Sequence, residues 1–416
     1  MALNLVGESF WGFQMAMIST ATVFTLMLRQ LGASKPMIGG ISAVESGMIL
    51  LPQFLSFYVF RSRQDRKRHL ILWHYACMLP FIFAIGLIVR TGGRNAPLTL
   101  WGCFACFALF NAGMGIVTPA WTDWLAHVFS VGVRGTAMGL AFLASALLGT
   151  LGAVVAGRLI GSSPGIGVFS TLYLVAGALA CLSIGTFWFI EDPGAGVPDD
   201  PGPASDSHVL DHVRQSLQEP NFRAFLVGRM LMAAGFSIVP FITIYYTTLA
   251  GGGLSNGRIV SCGAATTIGS AVVTPILGVL GDRIGHRLGL LVGAFAQVVA
   301  LLIVLLSSGV LSCLAAYTCV GICLGSGFVS HFNMLFETCP HENRIAHIMT
   351  ANVLMGLVVG PSALADGAIA SAFGVGIVFR ICLGVSIVAL GWLTLRLEEP
   401  RRGAPCGHPE APEDDA

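Results

Sequence analysis

The 416-residue chain is 55% hydrophobic and only 10% charged, with a mean hydropathy of +0.80. Soluble domains carry about 25% charged residues, so a soluble core is excluded and lipid is the expected solvent for most of the surface. A net charge of +1 gives no basis for binding nucleic acid.

Ser9–Leu28 is the first window without Asp, Glu, Lys or Arg. It lacks a basic leader and a small-residue cleavage site, so it is expected to be the first span. The segment 36–60 contains Glu45 as its only charged residue before Arg61. Charge-free windows follow at His69–Val89, Asn95–Thr122, Gly135–Gly157, Leu159–Ile190, Met230–Gly257, Ile259–Gly281, Leu288–Phe336 and Ile345–Ala365. Gly367–Leu395 contains only Arg380. A hydrocarbon core needs about 20 apolar helical residues, and Leu288–Phe336 is long enough for two spans. Divided at Gly, Pro and Ser turns, the windows predict twelve helices starting near residues 6, 36, 69, 97, 134, 168, 222, 256, 288, 311, 345 and 375. The fold class is all-α and polytopic. Eleven cysteines are scattered through these stretches, and Cys103 and Cys106 are expected to be packing residues rather than a redox or metal pair.

With both termini in the cytoplasm, Arg29, Lys35, Arg90, Arg94, Arg158, Arg258 and Arg380 are the only outside members of the 22 Lys and Arg. That asymmetry predicts cytoplasmic termini. The halves share markers. Glu191-Asp-Pro193 ends the sixth helix and Glu398-Glu-Pro400 ends the twelfth, while Arg134 and Arg344 precede helices 5 and 11. The expected layout is a six-helix bundle over 1–191, a cytoplasmic linker over 192–221, a second bundle over 222–400 and a disordered tail over 401–416. His208 and His212 in the linker are read as a solvated amphipathic pair.

Between two charge-free windows lies Gly278-Val-Leu-Gly-Asp-Arg-Ile-Gly-His-Arg287, expected to be a tight loop. The spacing Gly278, Leu280, Asp282, Arg283, Gly285, Arg287 closely resembles the signature of the major facilitator superfamily of transporters. Leu51-Pro-Gln53, Leu31-Gly-Ala-Ser34 and Pro119-Ala-Trp-Thr-Asp123 resemble a poorly characterised prokaryotic branch of it. The resemblance implies two parallel six-helix bundles around a central cavity. It also implies that the motif's Asp and basic residues bridge neighbouring helices and hold one gating state, with Asp282 facing the start of helix 11 or 5. Glu337 is the nearest acid for a motif arginine. The equivalent first-half loop, Arg61-Ser-Arg-Gln-Asp65-Arg-Lys-Arg-His69, lacks the Gly-x-Leu-x-Asp pattern.

Asp123 and Glu337 occupy matching helix ends, each followed by Arg134 or Arg344. They are candidates for switchable salt bridges, with ordinary snorkelling as the other reading. Glu45 lies about 13 Å into helix 2 at 1.5 Å per residue. Ser42, Ser46, Ile49 and Gln53 share its face. A charge is costly at this depth, so Glu45 is a candidate proton-coupling site. A paired structural acid and a position near the outer mouth are the alternatives. The resemblance places helices 1, 4, 7 and 10 around the cavity, which makes Gln14, Asn111, Tyr246 and His331 substrate-cavity candidates. Interhelical hydrogen bonding competes with that reading. Arg229 either attracts an anion or snorkels.

The family resemblance implies a monomeric secondary active transporter of a small solute, working by alternating access and coupled to protons, in a plasma (inner) membrane. The alternatives are proton-driven efflux of amphipathic compounds and a transport-inactive sensor or assembly factor. Helix 5 lacks the proline usual in drug–proton antiporters of this superfamily. With no HExxH, GxSxG or nucleotide-binding loop in a credible context, neither enzyme activity nor a cofactor or metal is expected.

Overall fold

The computed structural model describes residues 1–60, 66–92, 96–129, 131–163, 165–191, 214, 217–249, 253–338 and 344–400. The linker and tail fall almost wholly outside them. Among the described residues the chain forms twelve membrane-length helical elements. They are α1 (Ala2–Gln30), α2 (35–59), α3 (Arg66–Thr91), α4 (Ala96–Val128), α5 (Val131–Ser162) and α6 (Gly167–Phe189), then α7 (Pro220–Thr248), α8 (Asn256–Ile284), α9 (Arg287–Leu306), α10 (Val310–Glu337), α11 (Arg344–Phe373) and α12 (Val375–Arg396). Eleven of them are long and apolar enough to cross a bilayer as they stand. The exception is α2, which tightens into a 3-10 turn at Leu51–Leu55 around Pro52. Proline has no N–H to give the preceding turn.

In lipid, backbone groups must be satisfied within the protein, which is why helices recur throughout. Apolar attraction between helices is weak there, so small residues and side-chain hydrogen bonds hold the bundle. The hydroxyl of Ser183 on α6 donates to the Gly7 carbonyl of α1 at 2.7 Å, and that of Ser170 to the Gly86 carbonyl of α3 at 2.7 Å. In the second half, Gln297 on α9 donates to the Met232 carbonyl at 3.0 Å and to Ser386 of α12 at 2.9 Å.

The packing has a two-fold pattern. In the first half α1 packs on α5 and α6, α3 on α4 and α6, and α2 on α4. In the second half α7 packs on α11 and α12, α9 on α10 and α12, and α8 on α10. The halves meet along two seams, α2 on α11 and α5 on α8, which the same relation interchanges. The end of the bundle where α1 begins and α12 finishes is called the terminal face here, and the other the far face.

Glycines close the seams toward the far face. A Cβ on Gly39 would overlap the Ala363 carbonyl, and one on Gly157 would overlap Ser261. A Cβ on Gly257 would lie 2.5 Å from the Gly157 carbonyl oxygen. Lys35 donates to the Ala370 carbonyl at 2.9 Å and Arg29 donates to Thr247, so both bridge the halves there. Gly157→Val is expected to force α5 off α8 while leaving each half folded. Hydrogen exchange at residues 157–161 and 256–261 should rise, with the interior of α9 and α12 still protected. Unchanged exchange at the seam would show that this contact does not hold the far face shut.

Candidate functional site

Two of the central helices break at the same level. α1 leaves helical geometry at Ser19 (φ −45, ψ 127) and resumes through a π-turn over Thr20–Phe24. α7 is interrupted at Ser237–Ile238, before Pro240. Both breaks free backbone carbonyls, and hydroxyl groups take them up. Thr25 donates to the Thr20 carbonyl at 2.8 Å, and Thr243 of α7 donates to the Ala21 carbonyl of α1 at 2.6 Å. Ser237 Oγ lies 2.6 Å from the Ala234 carbonyl oxygen, and Ser42 of α2 donates to the Ser237 carbonyl at 3.1 Å.

Two acids stand at these breaks. The Glu45 carboxyl of α2 stands beside the Thr20 hydroxyl of the α1 break. Glu45 is half-buried. Asp366 of α11 is buried, accepts from the Ser237 hydroxyl at 2.5 Å and takes a longer contact from the Cys382 thiol at 3.7 Å. The two acids thus sit on the two helices of one seam, each beside a hydroxyl at a broken helix. Asp366 was missed in the sequence because it separates the windows 345–365 and 367–395 and passes for a boundary. α11 runs straight through it. Glu8 likewise bounds the first window but lies inside α1.

The remaining cavity candidates are not brought together. Gln14 is fully buried, and neither of its side-chain polar atoms has a hydrogen-bond partner. Asn111 is buried and donates to the Phe107 carbonyl one turn back at 2.8 Å. Tyr246 shares a 2.5 Å hydrogen bond with Ser312, joining α7 to α10 as interhelical glue does. His331 accepts from Arg229 Nε at 3.1 Å through Nδ1. Gln53 on the polar face of α2 accepts from Asn352 of α11 at 3.1 Å, across the halves.

The signature decapeptide differs from the expected loop. α8 continues to Ile284, so Gly278, Leu280, Asp282 and Arg283 lie in its last turns. The turn itself is Gly285-His286. Gly285 has φ +97, a left-handed value that glycine adopts without strain. A Cβ on Gly285 would overlap the Glu399 carboxyl group, and one on Gly281 would overlap the His286 ring. Nothing lies within 4 Å of a Cβ built on Gly278. Asp282 is 78% exposed and 3.8 Å from the His286 ring, and the buried His286 also lies 4.0 Å from Glu337. Glu337 is thus approached by the histidine of the motif. Arg287 instead reaches α12: its backbone N–H donates to Glu399 at 2.9 Å and its guanidinium to the Thr394 carbonyl at 2.6 Å.

The first half has a counterpart. Lys67, near the start of α3, donates to the Trp188 and Ile190 carbonyls at the end of α6, at 2.8 and 2.6 Å. A cation at the start of each third helix thus caps the carbonyl end of each sixth helix, where the helix dipole favours positive charge. The side chains of Asp123, Arg134 and Arg344 lie outside the described residues. Their backbones fall in α4, in α5 and at the first position of α11.

The model of the Major Facilitator Superfamily matches residues 7–268 and 253–413. The chain belongs to that superfamily. Two curated relatives are both multidrug resistance protein MdtG. The one from Serratia proteamaculans is 30% identical over 183 residues, which is 42% of this chain and 43% of that protein. The one from Citrobacter koseri is 31% identical over 178 residues, 40% of this chain and 42% of that protein. The match thus spans less than half the length of these relatives. Among solved structures, a POT family transporter superposes with TM-score 0.70 at 12% identity, covering 94% of both chains. The nucleoside transporter NupG superposes with TM-score 0.66 at 14% identity, covering 96% of this chain and all of that one. At such identities these likenesses establish the superfamily fold and nothing further.

Gly285→Ala should lower stability through both the left-handed backbone, about 1–2 kcal/mol, and the collision with Glu399. Adding Glu399→Ala should relieve the collision alone. Thermal unfolding of the detergent-purified protein reads this as partial recovery. No loss in Gly285→Ala would refute the tight approach of Glu399.

Proposed function

We propose that the protein is a secondary active transporter of a small solute, moving it across the inner membrane by alternating access coupled to protons. The observation that carries this reading is the pairing of Glu45 and Asp366 with hydroxyls at the breaks of α1 and α7, beside the seam that closes the far face. A neutral carboxyl is tolerated in such surroundings, while a carboxylate needs water or a partner. Opening the seam admits water, so protonation and opening are coupled. The termini and the linker over 192–221 are cytoplasmic in this reading, as the distribution of arginine supports, and the closed far face is then the external gate. The protein acts as a monomer, and its contact with lipid is the outer surface of both bundles.

A second reading is proton-driven efflux of amphipathic compounds. The likeness to proteins named for multidrug resistance favours it. The absence of a proline in α5, with Gly360-Pro361 placed in α11 instead, stands against it. A sensor that kept the fold would not require an embedded acid at each break.

Reconstitution into proteoliposomes under an imposed pH gradient, across a panel of solutes, tests the proposal. Glu45→Gln mimics the protonated acid at nearly constant volume. It should abolish gradient-driven transport and preserve counterflow exchange. Equal loss of both would assign Glu45 to structure or substrate binding, and full retention would remove it from coupling. Orientation has its own measurement. A cysteine at position 65 should be labelled from the cytoplasm and one at position 94 from outside; labelling of both from one side would overturn the two-bundle topology.

A further inference from the structure

α7 carries an arginine that no acid answers among the described residues. Arg229 stands nine residues after Pro220, the first residue of α7 (229 − 220), about 14 Å from that helix end at 1.5 Å per residue. Its Nε donates to Nδ1 of His331 at 3.1 Å, and Nη1 points at the Met232 sulfur at 3.7 Å. Phe225 stacks on the His331 ring with centroids 5.4 Å apart. Among the described residues, no carboxylate lies within ion-pair distance of the guanidinium. Arg229 is half-buried.

Snorkelling does not explain this arrangement. A snorkelling arginine extends toward the headgroups, whereas this one is turned onto α10. His331 precedes Glu337, the last residue of α10, by six positions (337 − 331), so it lies about 9 Å inside that helix end. On the α10 side the guanidinium lies against Gly327, which has no side chain to cover it. A Cβ built on Gly327 would find Nη2 and Nη1 as its nearest atoms, at 3.8 and 3.9 Å. One residue further, Phe328 meets Phe142 of the first half edge to face at 4.9 Å. The cation therefore sits beside the stretch of α10 that meets the first half.

We infer that Arg229, oriented by His331, anchors a binding site for a monoanionic organic acid, recognised through its carboxylate. This deepens the transporter reading above and rests on it. A histidine that accepts at Nδ1 carries its proton on Nε2 and is neutral, so the pair holds a single positive charge. One carboxylate balances that charge, whereas a phosphate dianion would leave an excess. With Nε engaged by His331, the two terminal nitrogens present the planar fork that suits a carboxylate. His331 is a positioning residue.

The test is calorimetric binding to the purified full chain in detergent, with benzoate, benzamide and benzylamine as probes of one shape and different charge. Benzoate should bind saturably, and the other two should not. Arg229→Gln should weaken benzoate by at least about tenfold, the scale of one charge-assisted hydrogen bond. Arg229→Lys should be intermediate, because it keeps the charge and loses the fork. Gly327→Leu keeps the arginine but fills the approach, and should weaken benzoate as well; it decides the matter if Arg229→Gln does not fold. No benzoate binding by the natural chain, benzylamine binding more tightly, or benzoate affinity unchanged in Gly327→Leu would each overturn the site. Counterflow in proteoliposomes separates this from the broader reading. Benzoate that binds through Arg229 but never exchanges would refute transport and leave the site. Other solutes moving on a pH gradient without benzoate binding would refute the site and leave transport.

Discussion

The interior of this protein is governed by the cost of leaving a polar group without a partner in hydrocarbon. An unbroken helix satisfies its own backbone, so each break in a central helix creates a debt of free carbonyls. At the breaks of α1 and α7 these debts are met by hydroxyls, several of which belong to other helices. Thr243 reaches from α7 to Ala21 of α1, and Ser42 reaches from α2 to Ser237 of α7. The breaks thereby become the points at which the two halves recognise each other. The glycine seams serve the same end by another route, since they bring backbones close enough for such short side chains to reach across.

The same constraint explains the turn between α8 and α9. A carboxylate, a histidine and an arginine gather where three helix ends converge, and each helix end exposes backbone groups of one sign. Arg287 faces the carbonyl end of α12, and Glu399 accepts the N–H that opens α9. Lys67 performs the first of these tasks in the first half without any of the glycine pattern around it. Capping of the sixth and twelfth helices is therefore common to both halves. The left-handed Gly285 and the carboxyl packed on it belong to the second half's turn, which is a physical reason for the signature to be strong at residues 278–287 and weak at 61–69.

Much of the fold was legible in the sequence because hydropathy windows and charged boundaries report where lipid begins and ends. The predicted starts near 36, 97, 256, 288, 311, 345 and 375 lie within a residue of the observed Lys35, Ala96, Asn256, Arg287, Val310, Arg344 and Val375. The same signal fails for single charges inside a span. A charge that ends a helix and a charge buried within one look alike along the chain, so Asp366 and Glu8 pass for edges. Glu45 was legible because apolar residues continue far on both sides of it. Its polar face was also legible, and Ser42 and Gln53 on that face do bond to the second half. The breaks in α1 and α7 left little trace. Ser19 and Ser237 are ordinary residues in a membrane helix, and only three-dimensional pairing shows why the backbone turns there. The motif was recognised but its shape was not, since residues that read as a polar loop complete α8 by hydrogen bonding.

Placement of the two acids relative to the seams limits how the halves can move. Glu45 and Asp366 sit on α2 and α11, the two helices of one seam, and neither lies on α5 or α8. Separation at the α2–α11 seam changes the surroundings of both carboxyls at once, because Ser42, the link to Ser237, sits one turn from Glu45 on the same face. The α5–α8 seam carries glycines and hydroxyls and, among the described side chains near its far end, no acid. In the proposed cycle it opens and closes without a change in protonation. In the proposed cycle the two seams are therefore unequal despite the two-fold packing: one hinges on small residues, and the other senses protons. Arg229, with no carboxylate within ion-pair distance among the described residues, lies outside both seams, on α7 against α10. A bound anion would meet it without disturbing either carboxyl directly, so coupling between the solute and the proton would have to pass through α7. That helix carries both Arg229 and the Ser237 that holds Asp366.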